Sequence, residues 1–181
     1  MDENINVKRE LWRDALGWLK TILFALLFAW LFTNYVIVNA SVPTGSMEGT
    51  IRVNDRIVAF RLSYVFSTPE RFDIIVFRGA FDESPLYVKR IIGVPGDTVT
   101  IRDGRVFLND DTEPLRDDFV QGEFFGNHGP YTVPEDGFFV LGDNRNNSVD
   151  SRHWGNPFVE RGQIQGRVIF RYFPGFQNLT T

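Results

Sequence analysis

The sequence predicts a mainly β protein, with a coiled or barrel-like sheet that follows one N-terminal transmembrane helix. Three observations predict this fold class. An apolar span lies near the N-terminus, at 16–38. Beyond it, short segments rich in β-branched and aromatic residues alternate with Gly, Pro, Asn and Asp. No long helical periodicity follows the span.

The apolar span 16–38 is long enough to cross a hydrocarbon core of about 30 Å as a helix. Lys20 is its only charged residue. Trp18 and Tyr35 lie near its ends, where aromatic side chains anchor helices at the membrane interface. The span therefore predicts a membrane anchor.

Basic residues are concentrated on the N-terminal side of the anchor, at Lys8, Arg9, Arg13 and Lys20. The next basic residue after it is Arg52. Because basic residues stay on the cytoplasmic side, we expect 1–15 in the cytoplasm and 39–181 outside it. The expected location is the plasma membrane, crossed once by 16–38.

A cleaved secretory signal peptide is the alternative interpretation of the same segment. Val38-Asn39-Ala40 offers small residues at a cleavage position. The span is longer than the usual apolar region of about 7–15 residues, and candidate catalytic residues follow it at once. These two features favour a retained anchor.

Six segments are predicted strands: Arg56–Phe60, Asp73–Phe77, Val99–Ile101, Val106–Leu108, Phe138–Leu141 and Val168–Phe173. Asp103-Gly104 separates two of them and indicates a tight hairpin. The stretch of about 103–137 is richer in acidic residues, Gly and Pro, which predicts a small lobe or an extended loop.

Composition excludes several classes of function. The net charge is −4 with no long basic block, so nucleic acid is not an expected partner. Cysteine is absent, which excludes disulfide frameworks, thiolate metal sites and cysteine nucleophiles. We expect no metal ion and no other cofactor.

Ser46 and Lys89 are the candidate catalytic residues. Ser46 lies in a turn-like run, Thr44 to Met47, and a serine nucleophile needs a base beside it. An ordinary lysine has a pKa near 10.4, so only about one in 2,500 is neutral at pH 7. Burial lowers that pKa. The apolar residues that flank Lys89 are Tyr87, Val88, Ile91 and Ile92.

A third polar segment, GDNRNNSVDSRHWG from Gly142, is dense in residues that form turns and hydrogen bonds. Asp150 and Arg152 lie two residues apart in it, and such a pair can form a charge-assisted bridge that fixes local geometry. A polar surface loop explains the same composition.

Together, the runs VPTGSMEGTI, YVKRIIGVPGD and GDNRNNSVDSRHWG resemble the bacterial type I signal peptidases, the leader peptidase family. These are membrane-bound serine proteases with a Ser/Lys dyad that remove signal peptides from exported preproteins. The match covers most of Val42–Trp154. It implies Ser46 as nucleophile and Lys89 as general base.

The resemblance also implies supporting roles. Ser148 would orient Lys89 through its hydroxyl, and Asp150 and Arg152 would pair to support the site. The backbone N–H of Ser46 and the Thr44 hydroxyl would donate to the oxyanion.

Substrate binding is expected to follow the same family. An extended signal peptide would add to strands beside the site by β-augmentation, and cleavage would follow small residues of the Ala-x-Ala type. Shallow pockets would be lined by Val42, Pro43, Met47, Tyr87 and Val88. The expected partners are signal peptides and the lipid bilayer.

Two positions depart from the family pattern. Thr44 stands where serine, or glycine in some branches, is common, and Gly49 stands where proline is usual. Threonine keeps the hydroxyl, whereas glycine loosens the backbone just after the nucleophile.

An apolar stretch suits either the core or contact with the outer leaflet: Phe60, Leu62, Tyr64, Val65 and Phe66.

Two other functions fit parts of the sequence. A self-cleaving Ser/Lys regulator, as in DNA-damage repressors, lacks an apolar span. A secreted or anchored β-domain that binds ligands without catalysis would leave Ser46 and Lys89 unconnected.

Overall fold

The computed structural model describes residues 2–79 and 86–180, so the ends of the predicted ranges, Met1 and Thr181, lie outside the described residues. Two compact units divide between Val36 and Ile37. In the first, helix α1 spans Asp2–Leu31 and continues into a π-helical turn at Phe32–Val36. Its stretch Trp12–Val36 is long and apolar enough to cross a membrane.

The second unit begins two residues earlier than the sequence predicts. Ile37 and Val38, assigned by sequence to the anchor, form the start of a strand, and Val38 is buried in the core. β-branched residues suit an anchor and a strand equally well. Pairing with a neighbouring strand, in which Val38 lies opposite Ala59, decides between the two.

The main sheet is curled into a half-barrel and confirms the mainly β prediction. Its strand order is β1-β2-β10-β3-β4-β8-β9, with β11 beside β10, and every pairing is antiparallel. The strands are β1 (Ile37–Ser41), β2 (Arg56–Phe60), β3 (Ile74–Arg78), β4 (Leu86–Gly93), β8 (Gly137–Leu141), β9 (Phe158–Glu160), β10 (Ile164–Phe173) and β11 (Gln177–Asn178).

A second sheet has the order β6-β5-β7. Its strands are β5 (Thr98–Arg102), β6 (Arg105–Leu108) and β7 (His128–Thr132). Asp103 and Gly104 have φ angles of 47° and 76°, as a two-residue hairpin turn requires, which confirms the hairpin prediction. The stretch 103–137 thus supplies β6 and β7 to a small sheet that begins earlier, with β5.

The core explains why β3 lies at the centre of the main sheet. Ile74 and Val76 pack into one apolar cluster, whereas Ile75 and Phe77 pack into another. A strand buried on both faces reads as a continuous apolar run, as this one does. A third cluster, around Ile92, joins the main sheet to the small sheet.

Candidate active site

Ser46 lies in a tight turn between β1 and β2. Two backbone hydrogen bonds close the base of this connection: Val42 N–H donates to Asp55 O (3.0 Å) and Asn54 N–H to Val42 O (2.8 Å). Inside it, Ile51 N–H donates to Met47 O (2.8 Å), and both side chains are fully buried. The turn is therefore anchored in the core, and the buried Ser46 is held in place.

Asn144 holds the same turn from the other side, a role that no motif in the sequence indicates. Its backbone N–H donates to Ser46 O (3.1 Å), and its amide donates to Gly45 O (3.1 Å) and Glu48 Oε2 (3.3 Å). Asparagine is common in polar turns for local reasons, so sequence alone does not identify a partner 98 residues away.

Lys89 reaches Ser46 from strand β4. Its Nζ donates to Ser46 Oγ at 2.7 Å and to Val88 O at 3.2 Å, and the residue is only 3% exposed. Burial lowers the pKa of Lys89 to about 8, although the nearby carboxylates of Asp150 and Asp143 oppose this shift. A substantial fraction of the amine is thus neutral near pH 8, when it can accept a proton.

Thr44 lies at the exposed rim of the site. Its Oγ1 is 3.5 Å from Ser46 Oγ. A hydroxyl at this distance can turn toward an oxygen that develops next to the nucleophile.

Ser148 lines the same cavity and is buried. Among the described residues its hydroxyl forms no hydrogen bond with Lys89; it interacts instead with the Asp150 carboxylate, whose pKa it helps to lower. The close approach of Ser148 to the nucleophile depends on Gly142, where a Cβ would lie 2.3 Å from Ser148 Oγ and 2.4 Å from Ser46 O.

Asp150 and Arg152 form a fully buried, bidentate ion pair, with Nε–Oδ1 and Nη2–Oδ2 distances of 2.8 Å. Burial acts to raise the pKa of Asp150, but Arg152 and the N–H of Gly142 outweigh it and lower that pKa. The carboxylate therefore stays charged and fixes the segment that carries Ser148.

A second buried ion pair, which the sequence did not indicate, follows Lys89 directly. Arg90 donates two hydrogen bonds to Asp143, and Thr50 Oγ1 donates to the same carboxylate at 2.6 Å. The pair connects β4, the segment after β8 and the end of the nucleophile turn.

These elements enclose a cavity of about 550 Å³. Ser46, Lys89, Thr44, Ser148 and Arg152 line it, as do four of the predicted substrate-binding residues: Val42, Pro43, Tyr87 and Val88. Met47 does not meet its prediction. It is fully buried against the core because the turn directs it inward, and it has no surface in the cavity.

Comparison with known proteins decides the family. Residues 15–173 match the family model described as signal peptidase, peptidase S26. The chain belongs to this family. The resemblance inferred from the three sequence runs is confirmed.

Individual signal peptidases are similar over most of the chain. Signal peptidase I of Leptolyngbya laminosa is 40% identical over 163 residues, covering 86% of this chain and 78% of that protein. Signal peptidase I of Bacillus amyloliquefaciens is 36% identical over 171 residues, covering 88% and 89%. Thylakoidal processing peptidase 1 of Arabidopsis thaliana is 37% identical over 154 residues, covering 80% and 44%.

A solved structure, the crystal structure of a signal peptidase I from Enterococcus faecalis V583, is 34% identical with a TM-score of 0.47. The match covers 56% of this chain and 97% of that one.

Membership of the signal peptidase family makes the chain a serine endopeptidase that cleaves signal peptides. The ligand-binding β-domain without catalysis and the self-cleaving regulator are therefore set aside. The N-terminal apolar helix fits the membrane anchoring expected of such an enzyme.

Proposed function

We propose that this signal peptidase cleaves through a Ser/Lys dyad, with Ser46 as nucleophile and neutral Lys89 as general base, after small residues of the Ala-x-Ala type. The observation that carries the proposal is the 2.7 Å hydrogen bond between Lys89 Nζ and Ser46 Oγ, made by a buried lysine. A charged lysine there could orient the serine but could not accept its proton.

The chemistry proceeds in two halves. Ser46 Oγ attacks the scissile carbonyl as its proton passes to Lys89, and the backbone N–H of Ser46 and the Thr44 hydroxyl stabilise the oxyanion. The Lys89 ammonium then protonates the leaving amine, which breaks the peptide bond and leaves an acyl-enzyme. Lys89 then accepts a proton from water as the water oxygen attacks the ester, and it returns that proton to Ser46 Oγ as the acyl group leaves, which restores both residues.

Two strand edges support an extended substrate beside this dyad. Among the described strands, β1 pairs only with β2, so its other edge is open. The Leu86–Lys89 segment of β4 pairs with β3 on one side. Its other side is also open, because β8 pairs with β4 only from Arg90 onward. Both edges border the cavity. A peptide added here would gain backbone hydrogen bonds on its way to Ser46.

Side-chain selection follows from what lines that slot. Val42 is buried and Val88 is partly buried, and Pro43 and Tyr87 are rigid. Shallow apolar walls close to the peptide backbone accept methyl groups and exclude larger side chains, in keeping with alanine before the scissile bond.

The membrane arrangement is part of the proposal. The anchor is retained, since a cut after Ala40 would divide β1 and separate the buried Val38 from its core. The N-terminus lies in the cytoplasm and the catalytic domain on the outer face of the plasma membrane. Enzyme and arriving signal peptide then share one surface, which raises their effective concentration.

The dyad is tested with the full chain in detergent and a preprotein that carries an Ala-x-Ala site. Ser46→Ala and Lys89→Ala should each lower kcat about 10³-fold or more, as removal of a nucleophile or its base does. Ser67→Ala, an exposed serine outside the cavity, is the control and should match the parent. Cleavage at the parent rate by either dyad variant would overturn the mechanism.

Orientation is tested separately, and the absence of cysteine gives a clean background. Single cysteines are introduced in place of Asn4 and Asp103, and intact cells are then treated with a membrane-impermeant maleimide. Labelling at 103 alone agrees with the proposal, whereas labelling at 4 contradicts it.

A further inference from the structure

One wall of the substrate cavity consists of a single aromatic side chain, Phe124. We infer that Phe124 determines specificity for the substrate residues that follow the scissile bond, the first residues of the released mature protein. The inference rests on the proposed function, because it takes the slot beside β4 as the site for residues before the bond.

Phe124 comes from a part of the chain that contributes no other side chain to the cavity lining. It lies in the connection between β6 and β7, and it is the one cavity-lining residue from that connection in the described structure. The other lining residues belong to 40–46, 86–89 and 145–153. The connection between β6 and β7 thus reaches the cavity through one side chain.

The ring is held in place by its surroundings. The Arg152 guanidinium carbon lies 4.7 Å from the ring centroid, and the His128 ring stacks at 6.4 Å with an interplanar angle of 17°. A Cβ at Gly104 would lie 1.6 Å from Phe124 O, so the backbone packs directly on the hairpin turn. A fixed ring binds a ligand with little loss of conformational entropy.

A hydrogen bond joins the connection between β6 and β7 to the loop 145–153, which carries Ser148. Asn146 Nδ2 donates to Glu123 O at 2.9 Å, and Asn146 also lines the cavity. Phe124 is therefore attached to the rim formed by the loop that carries Ser148.

The pairing of β4 shows which part of a substrate meets this rim. A peptide beside Leu86–Lys89 cannot continue along β4 beyond Lys89, because Arg90 is already paired with Leu141 of β8. In the arrangement we place here, the peptide runs parallel to β4 with its scissile bond beside Lys89, so the residues after the bond leave over the segment that follows β8. That is the segment to which the Phe124 connection is bonded.

The chemistry of the ring predicts the preference. Arg152 beside it is neutralised by its bidentate pairing with Asp150, so the wall offers an apolar face without net charge. A large apolar side chain after the scissile bond gains contact with this face, whereas glycine gains none. An acidic side chain gains no counter-ion there.

The experiment uses the full-length enzyme in detergent and preproteins with a constant Ala-x-Ala site. The first three residues after the cut are changed one at a time between Leu and Gly. We expect the parent to prefer Leu at one of these positions by about tenfold in kcat/KM, as an apolar contact of this size gives. Phe124→Ala should reduce that preference to about twofold or less. Phe125→Ala, whose side chain is 77% exposed and outside the cavity, should keep it.

Other results would overturn the inference. An equal loss for every substrate, or a shifted pH midpoint of kcat, would mean that Phe124 acts only through Arg152. A changed preference for the substrate residues before the scissile bond would place the Phe124 ring beside those residues instead. Phe124→Gln, which fills part of the same space without an apolar face, decides the matter if the alanine variant unfolds: an unaltered preference for Leu after the bond then refutes the inference. Failure of the dyad is distinguishable, because it shows as cleavage by Ser46→Ala.

Discussion

The guanidinium of Arg90 and the carboxylate of Asp143 are joined by two hydrogen bonds, of 2.8 and 2.7 Å, with side chains only 3% and 1% exposed. Arg90 follows Lys89 in β4, and successive side chains of a strand point to opposite faces. The ion pair therefore fixes the strand at the position where the lysine must meet Ser46.

Removal of Asp143 should be costly, because it leaves Arg90 buried and charged without a counter-ion. We expect Asp143→Ala to lower the free energy of unfolding by about 3–5 kcal/mol. The control is Asp118→Ala, whose side chain is 86% exposed and lies 3.9 Å from Arg116, and which should change stability by less than about 0.5 kcal/mol. Urea unfolding of the full chain measures both; similar effects of the two changes would contradict the prediction.

Activity should rise with pH as Lys89 loses its proton. The pKa of Lys89 is lowered to about 8, so kcat should increase tenfold per pH unit below that value and level off above it. Measurement of kcat from pH 6 to 10 with one preprotein tests this. A flat profile would show that no group of this pKa acts in the rate-limiting step.

The same pKa shift predicts a cost in stability at neutral pH. The pKa of Lys89 falls from 10.5 in the unfolded chain to about 8 in the folded one, so between these values the unfolded chain binds more protons. Stability should therefore rise with pH across this interval, and at pH 7 the charged lysine should cost about 3 kcal/mol. Lys89→Met should be more stable than the parent at pH 7, by a margin that shrinks toward pH 10. A margin independent of pH would contradict the lowered pKa.

The strands were predictable from local pattern, because alternation and turn residues act over a few positions. Asp103-Gly104 specifies its hairpin through the positive φ angles that it tolerates. Strand β4 was less visible as a strand, since Lys89 and Arg90 interrupt its apolar run and both are buried by partners elsewhere in the chain.

The site was predictable only where residues act in recognisable groups. Ser46 and Lys89 are predicted by their neighbours and by family resemblance, but Asn144 and Phe124 are not, since an asparagine in a turn and a phenylalanine in a loop have common local explanations. Their roles depend on contacts that only the fold creates. Met47 was misassigned for the same reason: the direction of a side chain in a tight turn is set by its packing.

Thr44 should contribute through its hydroxyl alone. If its Oγ1, 3.5 Å from Ser46 Oγ, donates to the oxyanion, Thr44→Val should lower kcat by about 10²–10³ with a small change in KM. Thr44→Ser is the matched control and should keep most of the activity. Equal activity of the valine and serine variants would exclude the hydroxyl from transition-state stabilisation.

The apolar segment that follows β2 should contact lipid at its tip. Phe66 is 91% exposed, whereas Tyr64 points inward and donates a hydrogen bond to Asp73 at 2.8 Å. Tryptophan at 66 should be quenched by brominated lipids in nanodiscs, and tryptophan at Phe125, which is also exposed, is the comparison. The background replaces the three tryptophans of helix α1 by Phe: Trp12, Trp18 and Trp30. Quenching no stronger at 66 than at 125 would exclude preferential lipid contact.

Gly49 should be required because of its backbone conformation. Its φ is +107°, a value that proline, with φ fixed near −65°, cannot adopt, so this chain does not tolerate the residue usual in the family. A Cβ there would also lie 3.2 Å from the Gln121 side chain and 3.3 Å from Phe119 O. Gly49→Ala should therefore lower both stability, by about 1–3 kcal/mol, and kcat.

Gly96→Ala separates the two effects of the change at Gly49. Gly96 also has a positive φ, +87°, but a Cβ there meets no atom within 4 Å and lies outside the cavity. Gly96→Ala should lose stability through its backbone conformation alone, by no more than Gly49→Ala, and should keep the parent kcat, measured where both proteins are folded. Since Gly49 lies three residues after Ser46, a kcat loss confined to its variant would show that the turn conformation positions the nucleophile. Equal kcat values for the two variants would assign Gly49 a purely structural role.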